Sequence, residues 1–167
     1  MDGLNFTLSY NPQAGNATNP SETGYGFNYT GVEGLSLSYA TTDEESGATA
    51  TSGDATVYKV SYAYGPVTAT YSDSEMDVSA AANAAGGDSQ SYALSYTVSD
   101  ELSITYGSET HSIDSTAVDM EIEGFSASYT SGGMTITAKM QSMDDGNFAT
   151  GANNDIDYWS LNASFAF

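Results

Sequence analysis

Any chemistry in this 167-residue chain must come from carboxylates, hydroxyls and one histidine, because it has no cysteine and only two Lys+Arg, Lys59 and Lys139. The run Thr110-His111-Ser112-Ile113-Asp114 places a hydroxyl, an imidazole and a carboxylate close together in sequence. A nucleophilic triad is defined by geometry across a fold rather than by adjacency, so His111 reads as an ordinary loop histidine. No catalytic residue is expected, and no enzyme. The clusters Asp43-Glu44-Glu45, Asp73/Glu75/Asp77, Asp144-Asp145 and Asp155/Asp157 offer oxygen donors of the type Ca²⁺ or Mg²⁺ accepts. None has the spaced ligands of a calcium loop, and Asp144-Asp145-Gly146 comes nearest. The expectation is a solvated negative rim with no resident cofactor. Asp43, Glu44, Glu45, Asp144, Asp145, Asp155 and Asp157 are secondary candidates for holding a divalent cation at acidic loops.

These residues sit in an unusual composition. With 22 Asp+Glu the formal charge is −20, which makes nucleic acid and anionic lipid surfaces unfavourable partners. Only 14% of residues are charged, against about 25% in an average soluble domain. Almost all of those charges lie between strand-like segments rather than within them. No apolar run approaches the ~18 residues of a membrane helix. Met1-Asp2-Gly3 leads straight into a strand pattern, so no secretory signal peptide is expected within these residues.

Alternation of apolar and polar residues predicts ten strands: Leu4–Tyr10, Tyr25–Thr30, Leu35–Thr41, Thr56–Tyr64, Val67–Ser72, Ser91–Val98, Leu102–Gly107, Gly124–Thr130, Met134–Met140 and Tyr158–Phe167. Short connections (Gly31–Gly34, Gly65-Pro66, Ser99–Glu101, Ser131–Gly133) alternate with long ones rich in acid, glycine or asparagine. Tyr25, Tyr58, Tyr92 and Phe125 recur at steps of 33, 34 and 33 residues, and Tyr29, Tyr62, Tyr96 and Tyr129 recur with them. A further step of 34 reaches Trp159. The repeat is a hairpin unit in an up-and-down array.

The two faces indicate the solvent each one meets. Leu35/Leu37/Tyr39, Val67/Ala69/Tyr71 and Leu102/Ile104/Tyr106 share one face of their strands. The opposite faces carry Ser36, Ser38, Thr68, Thr70, Ser103 and Thr105, with Thr135 and Thr137 likewise. Strands in lipid need apolar side chains outward and fully paired backbones, and a water-filled interior suits small polar residues. Those Ser and Thr residues, with Lys59 and Lys139, are therefore expected to line a pore. Tyr25, Tyr29, Tyr58, Tyr62, Tyr92, Tyr96, Phe125, Tyr129 and Trp159 are expected at the two membrane interfaces. Glu121 and Glu123 share the parity of Phe125. They are expected above the membrane, unless a bulge near Gly124 changes the parity.

The stretches SYALSYTVSDELSITYGSE (Ser91–Glu109) and GFSASYTSGGMTITAKM (Gly124–Met140), with the aromatic ending Trp159–Phe167, resemble the C-terminal part of Gram-negative outer-membrane porins, most like those of α-proteobacteria. In that family the last strand ends in Phe and is read by the barrel assembly machinery. The resemblance carries that role to Phe165 and Phe167, while Asn162 stands where the family usually has glycine. It implies an all-β transmembrane antiparallel barrel of sixteen strands. This chain would then supply the C-terminal ten as a single domain, with its C-terminus on the periplasmic side of a bacterial outer membrane. It also implies a homotrimer in outer-membrane lipid through which small hydrophilic solutes and ions diffuse passively. The acidic rim should favour cations. Two other readings are a secreted acidic β-protein of structural or adhesive type that binds divalent cations, and a small barrel that does not conduct.

Overall fold

A computed structural model describes residues 2–12, 21–45, 53–78 and 86–166. It contains one ten-stranded antiparallel sheet in strict sequence order. The strands are β1 (Leu4–Asn11), β2 (Glu22–Tyr29), β3 (Leu35–Glu44), β4 (Gly53–Tyr64), β5 (Val67–Val78), β6 (Gly87–Thr97), β7 (Leu102–Ile113), β8 (Met120–Ser131), β9 (Met134–Asp144) and β10 (Ile156–Phe165). Each pairs with its sequence neighbours, and β1 and β10 form the two edges of an open sheet. Phe167 lies outside the described residues.

Turn chemistry fixes the hairpins at the short connections. Gly65 adopts φ 56 ahead of Pro66, the glycine-first arrangement of a type II′ turn. Gly132 and Gly133 both have positive φ, 58 and 84, as a type I′ turn requires. Both turns match the twist of the strands they join.

Most strands run further toward the long connections than alternation predicted. β5 continues through Asp73, Glu75 and Asp77 to Val78, and β9 reaches Asp144. β7 continues through His111 to Ile113. His111 is therefore a strand residue rather than a loop residue, and much of the expected acidic loop is strand. The reason is that a backbone ladder needs only a paired neighbour. Alternation ceases to be visible where the apolar positions give way to carboxylates.

Among the described residues nothing covers either face. Among the described residues no hydrophobic side chain is buried. The accessible surface is 11210 Å², against roughly 7,900 Å² for a compact protein of this mass. A second packed layer, as in a sandwich, is absent among the described residues. Register is continuous through Gly124, which pairs with both Gly107 and Gln141. No bulge intervenes there, so Glu121 and Glu123 stay on the same face as Phe125.

Candidate functional site

The functional surfaces are the two faces of the sheet, and register assigns every strand residue to one of them. On the apolar face, Tyr39 opposes Tyr58, Tyr71 opposes Tyr92, and Tyr106 opposes Phe125. Ring centroids lie 5.0 Å apart for Tyr71–Tyr92 and 4.8 Å for Tyr106–Phe125. Tyr25 joins the belt through Tyr39 at 6.2 Å, and Tyr58 through Tyr71 at 5.9 Å. Tyr39, Tyr71 and Tyr106 are members that the descending-strand repeat missed. The signal was present, since each is the third residue of its apolar triplet.

The belt runs obliquely to the strands. Tyr25 pairs with Thr41 and Thr41 with Thr56, so Tyr58 stands two residues closer to the short turns. Tyr92 falls two residues below the row of Tyr58, and Phe125 two below the row of Tyr92. The lower row of Tyr29, Tyr62, Tyr96 and Tyr129 steps identically. Two residues at ~3.3 Å over two strand spacings of ~4.8 Å correspond to an angle of about 35°. Rows that are level in a plane would therefore tilt the strands by about 35°, within the range of closed barrels. Trp159 departs from the series, because Phe125, Met140 and Trp159 share one row without a step.

The opposite face is lined with hydroxyls that satisfy one another across strands. Ser72 and Ser91 are 2.7 Å apart, Ser95 and Thr105 2.8 Å, Ser61 and Thr70 3.1 Å, and Ser38 donates to Asn28 at 2.6 Å. Ser36, Thr68, Ser103, Thr135 and Thr137 lie on this face too. So do Lys59, between Ser38 and Ser72, and Lys139, between Ser126 and Ser160. Allowing for the two-residue step, both lysines stand level with the upper aromatic belt, on the other side of the sheet.

Above that belt the faces exchange character. On the apolar-face parity come Asp43, Asp54 and Asp77 in one row, with Glu75 opposite Asp88 and Glu121 opposite Asp144. Glu123 and Asp157 share this parity. On the hydroxyl-face parity at the same level stand Met76, Ile113, Met120, Ile122, Met143 and Ile156. Directly opposed like charges repel. The carboxyl of Glu75 is accordingly raised above its ordinary value, first by Asp77 and then by Asp88, with burial, Asp73 and Asp114 adding to the effect. Tyr71 donates to Asp73 at 2.8 Å and Tyr106 to Glu123 at 2.9 Å, so tyrosine hydroxyls mark the boundary between apolar belt and carboxylates.

The candidate cation ligands are only partly brought together. Strand alternation sends Asp43 and Glu44 to opposite faces. Glu45 follows the strand and accepts from the Ser21 hydroxyl at 3.3 Å. Asp144, Asp145 and Asp155 surround one polar hollow with Asp119 and Glu121, and Asp155 accepts from the Asp145 amide at 3.1 Å. Asp157 lies on β10 opposite Ser142. Among the described residues no three potential ligands stand close enough to share a metal. Phe165 ends β10 on the apolar face, opposite Met134. Compared with known proteins, the chain matches no family profile and no curated sequence.

Proposed function

We propose that this chain forms the wall of an outer-membrane diffusion channel, a porin, through which small hydrophilic solutes and ions pass without catalysis. One observation carries the reading: a single-layer sheet with one face exposing large apolar side chains and the other lined by mutually bonded hydroxyls. Leu8, Leu94, Leu161 and Phe165 are each more than half exposed, and nothing in the sheet covers them. Lipid is the solvent that suits such a face. The two edge strands run antiparallel to each other, because the strand number is even. Each edge exposes backbone groups that lipid cannot satisfy. The barrel we propose therefore closes, by joining these edges to each other or to further strands, as in the sixteen-stranded porin arrangement.

In this reading the aromatic rows lie at the two membrane interfaces and the long connections face the cell exterior. The C-terminal strand then ends on the periplasmic side, where Phe165 and Phe167 act as the assembly signal. The oligomer is a trimer. Charge selectivity arises chiefly at the mouth. On the hydroxyl face of the strands the only carboxylates are Glu22, Glu44 and Glu109, whereas the belt above the aromatic row carries many more. The mouth concentrates cations, and pore width sets the size limit.

Swelling of liposomes containing the full chain, in sugars of graded size, tests this. Entry rates should fall steeply with solute size. Rates equal to those of protein-free liposomes for the smallest sugar would contradict the proposal.

A further inference from the structure

On the hydroxyl face, opposite charges flank a depression. Three rows of cross-strand partners stack there on β6 to β9. The middle row is Ala93, Gly107, Gly124 and Gln141. The row above it is Ser91, Glu109, Ile122 and Met143, and the row below is Ser95, Thr105, Ser126 and Lys139. The paired glycines form the floor of a groove of about 290 Å³, with Glu109 at one end and Lys139 at the other.

Two features set this groove apart from ordinary wall. Gly124 is required by packing, since a Cβ there would run into the Met140 carbonyl. Gly107 is not: a Cβ there would meet only the Tyr92 carbonyl oxygen, at an ordinary 3.6 Å. The space above Gly107 is therefore left open without need from the backbone. Glu109 is also held in place. Its Oε1 accepts from the Ser89 hydroxyl at 3.4 Å and lies 2.9 Å from His111 Nε2. Lys139, by contrast, makes no ion pair among the described residues. Glu109 and Lys139 are two strands and four residues apart, so their Cα atoms are separated by about 16 Å. That leaves a gap for a small molecule between the two charged ends rather than for a direct salt bridge.

We infer that this groove binds small zwitterions of amino-acid size, with the ligand carboxylate at Lys139 and its ammonium at Glu109. Gln141 and Ser126 supply neutral hydrogen-bonding groups along the wall. The negative mouth above the groove repels free anions, while a zwitterion carries its own compensating charge past it. The inference deepens the channel reading and rests on it for access to the hydroxyl face.

The test uses the full chain in proteoliposomes and planar bilayers, with L-glutamine as probe and a neutral polyol of similar size as reference. Glutamine should enter several-fold faster than the polyol. Lys139→Met and Glu109→Gln should each abolish that preference, so that glutamine and the polyol enter at equal rates. Equal rates in the wild type, or a preference unchanged in both variants, would overturn the inference and leave the channel reading standing. If no KCl conductance is found, the channel reading fails. Titration of glutamine into the detergent-folded chain then tests the groove alone. Saturable binding lost in both variants sustains the site, and absence of saturable binding overturns it.

Discussion

Leu94 sits midway between Tyr92 and Tyr96 on the apolar face, paired with Ala69 and Tyr106. If that face meets lipid, an arginine there must be accommodated within the hydrocarbon. The apolar stretch from Tyr58 to Tyr64 is six residues long, or ~20 Å along the strand at ~3.3 Å per residue. At a tilt of about 35° this is about 16 Å along the membrane normal, and Leu94, two residues inside the upper end, lies about 5 Å from that boundary. A lipid-facing arginine at a barrel midplane costs roughly 2 to 4 kcal/mol. Its long side chain can reach a boundary this near, so Leu94→Arg should fall at the low end, about 2 kcal/mol, or ~30-fold in the folding equilibrium. Ser95→Arg, next in sequence but on the hydroxyl face, should cost close to nothing. Thr56→Arg, two residues above Tyr58, should cost at most ~1 kcal/mol. Urea titration of folding into vesicles measures all three, with the single tryptophan, Trp159, as fluorescent reporter. A negligible cost for Leu94→Arg, or equal costs at Leu94 and Ser95, would refute the assignment of faces.

Other consequences follow from the same geometry. An apolar band of about 16 Å is short beside the ~25 Å typical of barrels, so the chain should fold more completely into vesicles of ten- or twelve-carbon lipids than of eighteen-carbon lipids. A gel-shift assay of folded fraction would read this, and the reverse order would count against the band limits. The raised carboxyl of Glu75 binds its proton more tightly in the folded sheet than in the unfolded chain. Stability at the upper ends of β5 and β6 should therefore be fully present below the unfolded value and be lost as pH rises through the folded one. Hydrogen exchange of the Asp73–Val78 amides, corrected for intrinsic rates, should show greater protection at pH 5 than at pH 7. Greater protection at pH 7 would be the wrong sign. Replacing Asp43, Asp54 and Asp77 by Asn removes three like charges that face one another in a row. The triple variant should be more stable at low salt and less cation-selective, with both differences shrinking at 1 M salt, where the Debye length is about 3 Å.

The strand number, strand order and division of faces were legible in the sequence because alternation is strict wherever apolar residues supply it. Leu102/Ile104/Tyr106 against Ser103/Thr105 is such a case. The upper halves of the strands were not legible, because in β5 the alternation of Asp73, Glu75 and Asp77 with Ser74, Met76 and Val78 reverses the polarity of the faces. His111 was misplaced for the same reason. The oblique stagger was hidden as well. Repeat spacing reports which residues are equivalent, but only cross-strand partners reveal that Tyr58 stands two residues below the row of Tyr25. Trp159 fits the repeat numerically and still departs from it in register. The groove between Glu109 and Lys139 was invisible because its two ends lie on β7 and β9 and meet only through the paired Gly107 and Gly124.

Conductance of the full chain in a planar lipid bilayer, under a salt gradient, tests the central claim most directly. Discrete open steps with a cation-selective reversal potential are the predicted result. A chain that folds and inserts without conducting, or that remains in water as a folded protein, would contradict it.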